Sequence, residues 1–161
     1  MRLKLSALSA VVLPAVAVLV ASPPAGASVN RACVAVHAVG VGHDNGVNSA
    51  GKLTTTGTVL VHGVEVATSQ ATFTPGSPSA GTLPFTGPIV FTSEFDASTL
   101  TAQVNGSVDL STGRFTAVST SVTGTGVLRP ASGKLRFNGA ENLKTGAFRE
   151  NISGKLCAPR P

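Results

Sequence analysis

The sequence predicts an all-β protein: a single eight-stranded antiparallel β-barrel behind an N-terminal secretory leader. Three observations predict it. No stretch shows the 3.6-residue apolar period with caps that a helix requires, whereas Gly, Thr, Ser and Val recur throughout and suit strands and turns. Short alternating runs are broken at regular intervals by turn residues. Two cysteines, Cys33 and Cys157, stand near the two ends of the part that would fold.

The leader is read first. Arg2 and Lys4 give a basic start, Leu5 to Ala21 an apolar middle, and Ala25 and Ala27 an A-x-A approach to a cleavage site. Pro14 interrupts the apolar run, which is shorter than the roughly 20 residues of a membrane span. Residues 1–27 are therefore expected to be removed after Ala27, leaving a β-barrel domain over residues 28–161, a secreted location and no membrane span. The whole chain carries +5. Without Arg2 and Lys4, ten basic residues face seven acids, and the net charge is +3. The basic residues are scattered, and there is no Trp or Tyr to stack on bases. Nucleic acid is thus not an expected partner.

The strands follow in order. The first is read over residues 31–39, the second over 52–62 and the third over 64–74. A Pro/Gly/Ser loop, PGSPSAGTLP, fills 75–84. The fourth strand is placed at 87–95, the fifth at 99–108, the sixth at 114–123, the seventh at 133–140 and the eighth at 147–157. AQVNGSVDLSTGRF, from Ala102, aligns with LRFNGAENLKTGAF, from Leu135, at a spacing of 33, with six of fourteen positions identical. Each copy is a hairpin. Asp109 or Asn142 bonds the backbone two residues on, and Gly113 or Gly146 takes the positive φ that closes the turn. Eight strands in a meander leave two edges, and closure into a barrel removes both. A Cys33–Cys157 disulfide, expected after export, would join the first strand to the last. Two free thiols or a catalytic cysteine are the alternatives. A barrel of eight strands is filled by side chains or holds one small ligand.

Gly124 to Cys157, GTGVLRPASGKLRFNGAENLKTGAFRENISGKLC, adds a resemblance. The GTG, the turn and strand ASGKLRFNG, and the two LxTGxF hairpins resemble the allene oxide cyclase-like barrels, a calycin-like group that includes the dirigent-like barrels. Small secreted bacterial proteins of this fold are the narrower match, best over about residues 85–157. The resemblance implies a central cavity, which in better-known members steers cyclisation or coupling of apolar unsaturated substrates. No catalytic residue of those enzymes maps onto this chain. Pro130 departs from the glycine or alanine more usual at its turn.

Few residues are candidates for chemistry. In the eighth strand Phe148, Glu150, Ile152, Gly154 and Leu156 share the parity expected to face inward. A carboxylate there must be paired, hydrogen-bonded or protonated, which makes Glu150 a candidate acid/base group or ligand anchor. His37 shares its parity with Cys33, Ala35 and Val39 and is a ligand candidate if that face is inward. His62 precedes Gly63 at an expected tight turn, a second weak ligand candidate. The run GVGHDNG, with His43 and Asp44, is read as an exposed loop between strands one and two, with Asp44-Asn45-Gly46 as its turn. No metal-ligand spacing, G-x-S-x-G or phosphate loop occurs, so neither a metal nor a cofactor is expected. The leading expectation is a non-enzymatic binding or surface-interaction module with a possible small apolar ligand. The alternative is a cyclase or isomerase that uses Glu150.

Overall fold

The structure is a computed structural model and describes residues 31–159; the leader expected over residues 1–27 lies outside them. Eight strands run as β1 Arg31–Val47, β2 Leu53–Val61, β3 Val64–Pro75, β4 Thr82–Ser93, β5 Thr99–Asp109, β6 Arg114–Gly124, β7 Ser132–Glu141 and β8 Ala147–Pro159. Each pairs antiparallel with its neighbour in sequence, and β1 pairs with β8, so the sheet closes on itself. One turn of 3-10 helix, Gly126–Leu128, sits between β6 and β7.

The seam between β1 and β8 is the longest-range pairing, with thirteen register pairs from Arg31↔Pro159 to His43↔Ala147. Cys33 lies directly opposite Cys157 in that register, and the two form a disulfide with a Cα–Cα distance of 4.0 Å. The bond ties residues 124 apart in sequence. A loop of that length is worth about 4–5 kcal/mol in the chain-entropy account.

Alternation decides what lies inside. Ala102 and Val104 of β5, and Leu135 and Phe137 of β7, are almost wholly buried, while Gln103, Asn105, Arg136 and Asn138 between them face water. Each buried Phe or Leu contributes about 1.5–3 kcal/mol. β6 begins in phase, with Ala117 and Ser119 buried, and a bulge opposite Gln103 and Val104 then shifts the pattern so that Val122 points inward. Ser119 is the buried polar exception. Its hydroxyl accepts a bond from the Leu135 N–H at 2.8 Å, just past the last β6–β7 register pair, and so satisfies a donor that the ladder no longer reaches.

Two expectations are corrected. GVGHDNG is not a loop: β1 runs on to Val47, and His43 and Asp44 pair with Thr56 and Thr55 of β2. The turn comes later, at residues 48–51, where Asn48 Oδ1 accepts from the N–H groups of Ala50 and Lys52. The pairing slips between Asp44 and Val47, so the Asp-Asn-Gly signal marks a bulge inside a long strand. The irregular stretch 75–84 shrinks because Ser79 and Thr82 bond each other's backbone across Ala80 and Gly81, both at positive φ, and β4 starts at Thr82. The orientation of His37, which the sequence left open, is outward. Val36 and Ala38 line the interior instead.

Candidate functional site

The barrel interior is two cups set back to back. No residue lines both. The wall between them is built where Phe91 of β4 stacks on Phe137 of β7, with ring centroids 6.3 Å apart and planes 5° from parallel. Leu135 and Ile152, both buried, complete that layer.

The first cup opens at the end that carries the β1–β2, β3–β4, β5–β6 and β7–β8 turns. It holds about 90 Å3 of free space. Its aromatic lining is arranged in contacting pairs: Phe73 and Phe85 at 4.8 Å and 50°, and Phe115 and Phe148 at 6.3 Å, edge to face. Three carboxylates line the same cup, Asp44, Glu141 and Glu150, and no lysine or arginine does.

Glu150 sits deepest of the three. It pairs in register with Gly40 of β1 on one side and Gly139 of β7 on the other. A Cβ at position 40 would stand 2.6 Å from Glu150 Oε1, and one at position 139 would stand 2.8 Å from Glu150 Cβ. The two glycines therefore make the niche in which the carboxyl lies flat across the sheet. Burial, with no cation close by, raises its pKa from 4.5 to about 7. Glu141, nearer the mouth, is also raised, first by burial and then by the charge of Asp44, with His43 acting in the opposite sense. Asp44 Oδ1 accepts from the Gly46 N–H at 2.7 Å, which holds its carboxylate at the bulge.

The polar wall has a readable origin. The 33-residue repeat extends through the hairpin strands, so that Val108 corresponds to Glu141 and Ala117 to Glu150. All four line the cup. The two hairpins fold alike: Gly113 N–H donates to Asp109 O at 2.8 Å, and Gly146 N–H to Asn142 O at 2.7 Å. One hairpin thus presents an apolar wall and its sister an acidic one. Subtracting one copy from the other would have marked Glu141 as well as Glu150. Asp44 carried no such signal.

The remaining candidates fall elsewhere. His37 and His62 are exposed and lie together in an open groove on the outside of the barrel, beside Arg149 and Asn151. His62 occupies the β2–β3 turn with φ of 51°, followed by Gly63 at 82°. Neither reaches Glu150, so these three candidates do not form one site. Among the described residues no group of three His, Cys, Asp or Glu is placed to hold a metal ion.

The closed eight-stranded antiparallel meander is similar in fold to the dirigent proteins. Among solved structures, the pterocarpan synthase dirigent protein PsPTS1 superposes with a TM-score of 0.52 at 14% sequence identity, covering 81% of this chain and 97% of that one. At that identity the likeness is one of fold. No protein-family model matches the chain, and no curated protein matches its sequence.

Proposed function

We propose that the chain is an exported binding protein, not an enzyme, that holds one small and largely apolar molecule in the Glu150 cup. The observation that carries this reading is Glu150 itself. A carboxyl placed on the inner face, with no hydrogen-bond or ionic partner among the described residues and empty space before it, costs stability that a ligand can return. The cup is two-sided. Its aromatic half suits a ring or short apolar chain, and its acidic half suits a hydroxyl or another hydrogen-bond donor. About 90 Å3 is less than the roughly 150 Å3 known to enclose one benzene. The ligand therefore enters end-on, with the rest of it outside the mouth.

Export is supported by the Arg2–Ala27 leader pattern and by the Cys33–Cys157 bond, which fits an oxidising compartment. None of the described helices is long and apolar enough to cross a membrane.

The second reading, a cyclase or isomerase, is favoured by one observation: a carboxyl that titrates at about 7 is matched to proton transfer near neutral pH. Against it stands the cup's size, well below the several hundred Å3 in which a substrate is usually enclosed. That a synthase is carried on the same fold makes this reading worth testing.

Native mass spectrometry of protein taken from its own culture supernatant tests the binding reading. The expected result is an added mass that is lost on denaturation and absent from a Ser69→Phe variant, whose ring fills the cup from β3. A retained adduct in a folded Ser69→Phe protein would overturn it.

A further inference from the structure

We infer that the opposite end of the barrel is a second, independent binding site, and that it takes a neutral hydrocarbon-rich molecule such as an aliphatic alcohol or terpenoid. The inference does not rest on the role given to Glu150.

This second cup holds about 250 Å3. It opens at the end that carries the β2–β3, β4–β5 and β6–β7 turns. Its walls are aliphatic, including Val36, Ala38, Val59 and Leu128, and its floor is Phe91 with Leu135 and Ile152. Among the described residues only two polar side chains reach it, Ser93 and Ser98. Both hydroxyls are already engaged: their oxygens accept backbone N–H groups, Ser93 from Phe95 at 3.2 Å and Ser98 from Val127 at 3.3 Å, and both bond the Asp96 carboxylate. Among the described residues no titratable group lines it. A polar or charged ligand group inside would lose its water and find no partner in exchange.

Size points the same way. An apolar cavity of about 150 Å3 stays dry and binds benzene. A larger one with the same lining favours a longer hydrocarbon over water.

The mouth is apolar too. Val64 at the head of β3, Phe95 in the β4–β5 turn and Val127 in the 3-10 turn are all largely exposed, Phe95 at 76%. They stand on the three turns of this end and extend the apolar surface beyond the cavity for a protruding chain. The described turn residues there carry Glu94 and Asp96 against Arg129, a balance that disfavours an anionic head group. A fatty acid is thus a poorer fit than the corresponding alcohol.

The probe is N-phenyl-1-naphthylamine, a neutral dye that brightens in apolar surroundings. Saturable brightening with the folded protein is expected, weakened about tenfold or more by Ala38→Phe or Ala67→Phe, two separate ways of filling this cup. Ser69→Phe in the other cup leaves it unchanged. Decan-1-ol displaces the dye, and decanoate does so about tenfold less well. The site is overturned if the dye does not bind, if whichever filling variant folds binds it like the wild type, or if Ser69→Phe alone abolishes binding. Equal displacement by decanoate overturns the neutral-ligand assignment. An adduct that resists Ser69→Phe but is lost from Ala38→Phe supports this site while sinking the Glu150 reading, so the two proposals fail separately.

Discussion

A carboxyl on the inner face of a barrel is either paired, wet or neutral, and Glu150 takes the third course in part. Its pKa in the folded chain is about 7 against an ordinary 4.5. Between those values the unfolded chain has released a proton that the native chain still holds, so stability falls as pH rises from about 4.5 to about 7 and then levels. The full effect is about 3 kcal/mol. Urea unfolding across that interval should show the decline in wild type, and Glu150→Gln should remove this share of the slope. At about pH 8 the Gln variant should be the more stable. A Gln variant with an unchanged slope would mean that the carboxyl is solvated. Its inward parity was legible from the alternation of Phe148, Glu150 and Ile152. Its niche was not, because Gly40 and Gly139 belong to other strands and meet it only through the register.

At the scale of single elements, the two related hairpins close on the same residues but not with the same freedom. Gly113 has φ of 70° and Gly146 of 75°. Alanine at either site must enter the left-handed region, at a cost of about 1–2 kcal/mol. A Cβ on Gly113 would also collide with the Glu141 carbonyl, whereas one on Gly146 would stand 2.9 Å from the Asp44 carbonyl. Urea midpoints should therefore place Gly113→Ala below Gly146→Ala, with both below wild type; the reverse order would mean that the β5–β6 turn relaxes. Most of the eight strands were legible because their turns are chemically plain, as at LSTG, LKTG and His62-Gly63. Where the reading failed, a turn-forming sequence was overridden by pairing. Asp44-Asn45-Gly46 was drawn into β1 because β2 pairs with Asp44 and Val47 on one side, while the Asp44 N–H donates to the Gly146 carbonyl on the other. The phase of β1 was left open for a different reason. Ala, Val and Gly on both of its faces give no polar contrast, and neither His37 nor Cys33 marks the inside.

For the molecule as a whole, the β1–β8 seam decides whether the sheet is closed or open. Thirteen register pairs hold it besides the disulfide. The reduced protein, or a Cys33→Ser, Cys157→Ser double variant, should therefore still fold to a barrel, but with a melting temperature lower by about 15 °C or more, the equivalent of roughly 4–5 kcal/mol. Circular dichroism melts with and without reductant measure this. No change on reduction would mean that the unfolded chain keeps its two ends together without the bond.

The same seam gives the molecule a direction. Arg31 and Pro159 lie side by side on one rim, the rim of the hydrocarbon-lined cup, and the Glu150 mouth is at the far pole. Anything joined at Arg31 or Pro159, be it a tag, a second domain or a solid support, is tethered at that one pole. Immobilised through either residue, the barrel stands upright with its carboxylates outward and its greasy end toward the support. A sensor surface prepared that way samples one face and shields the other.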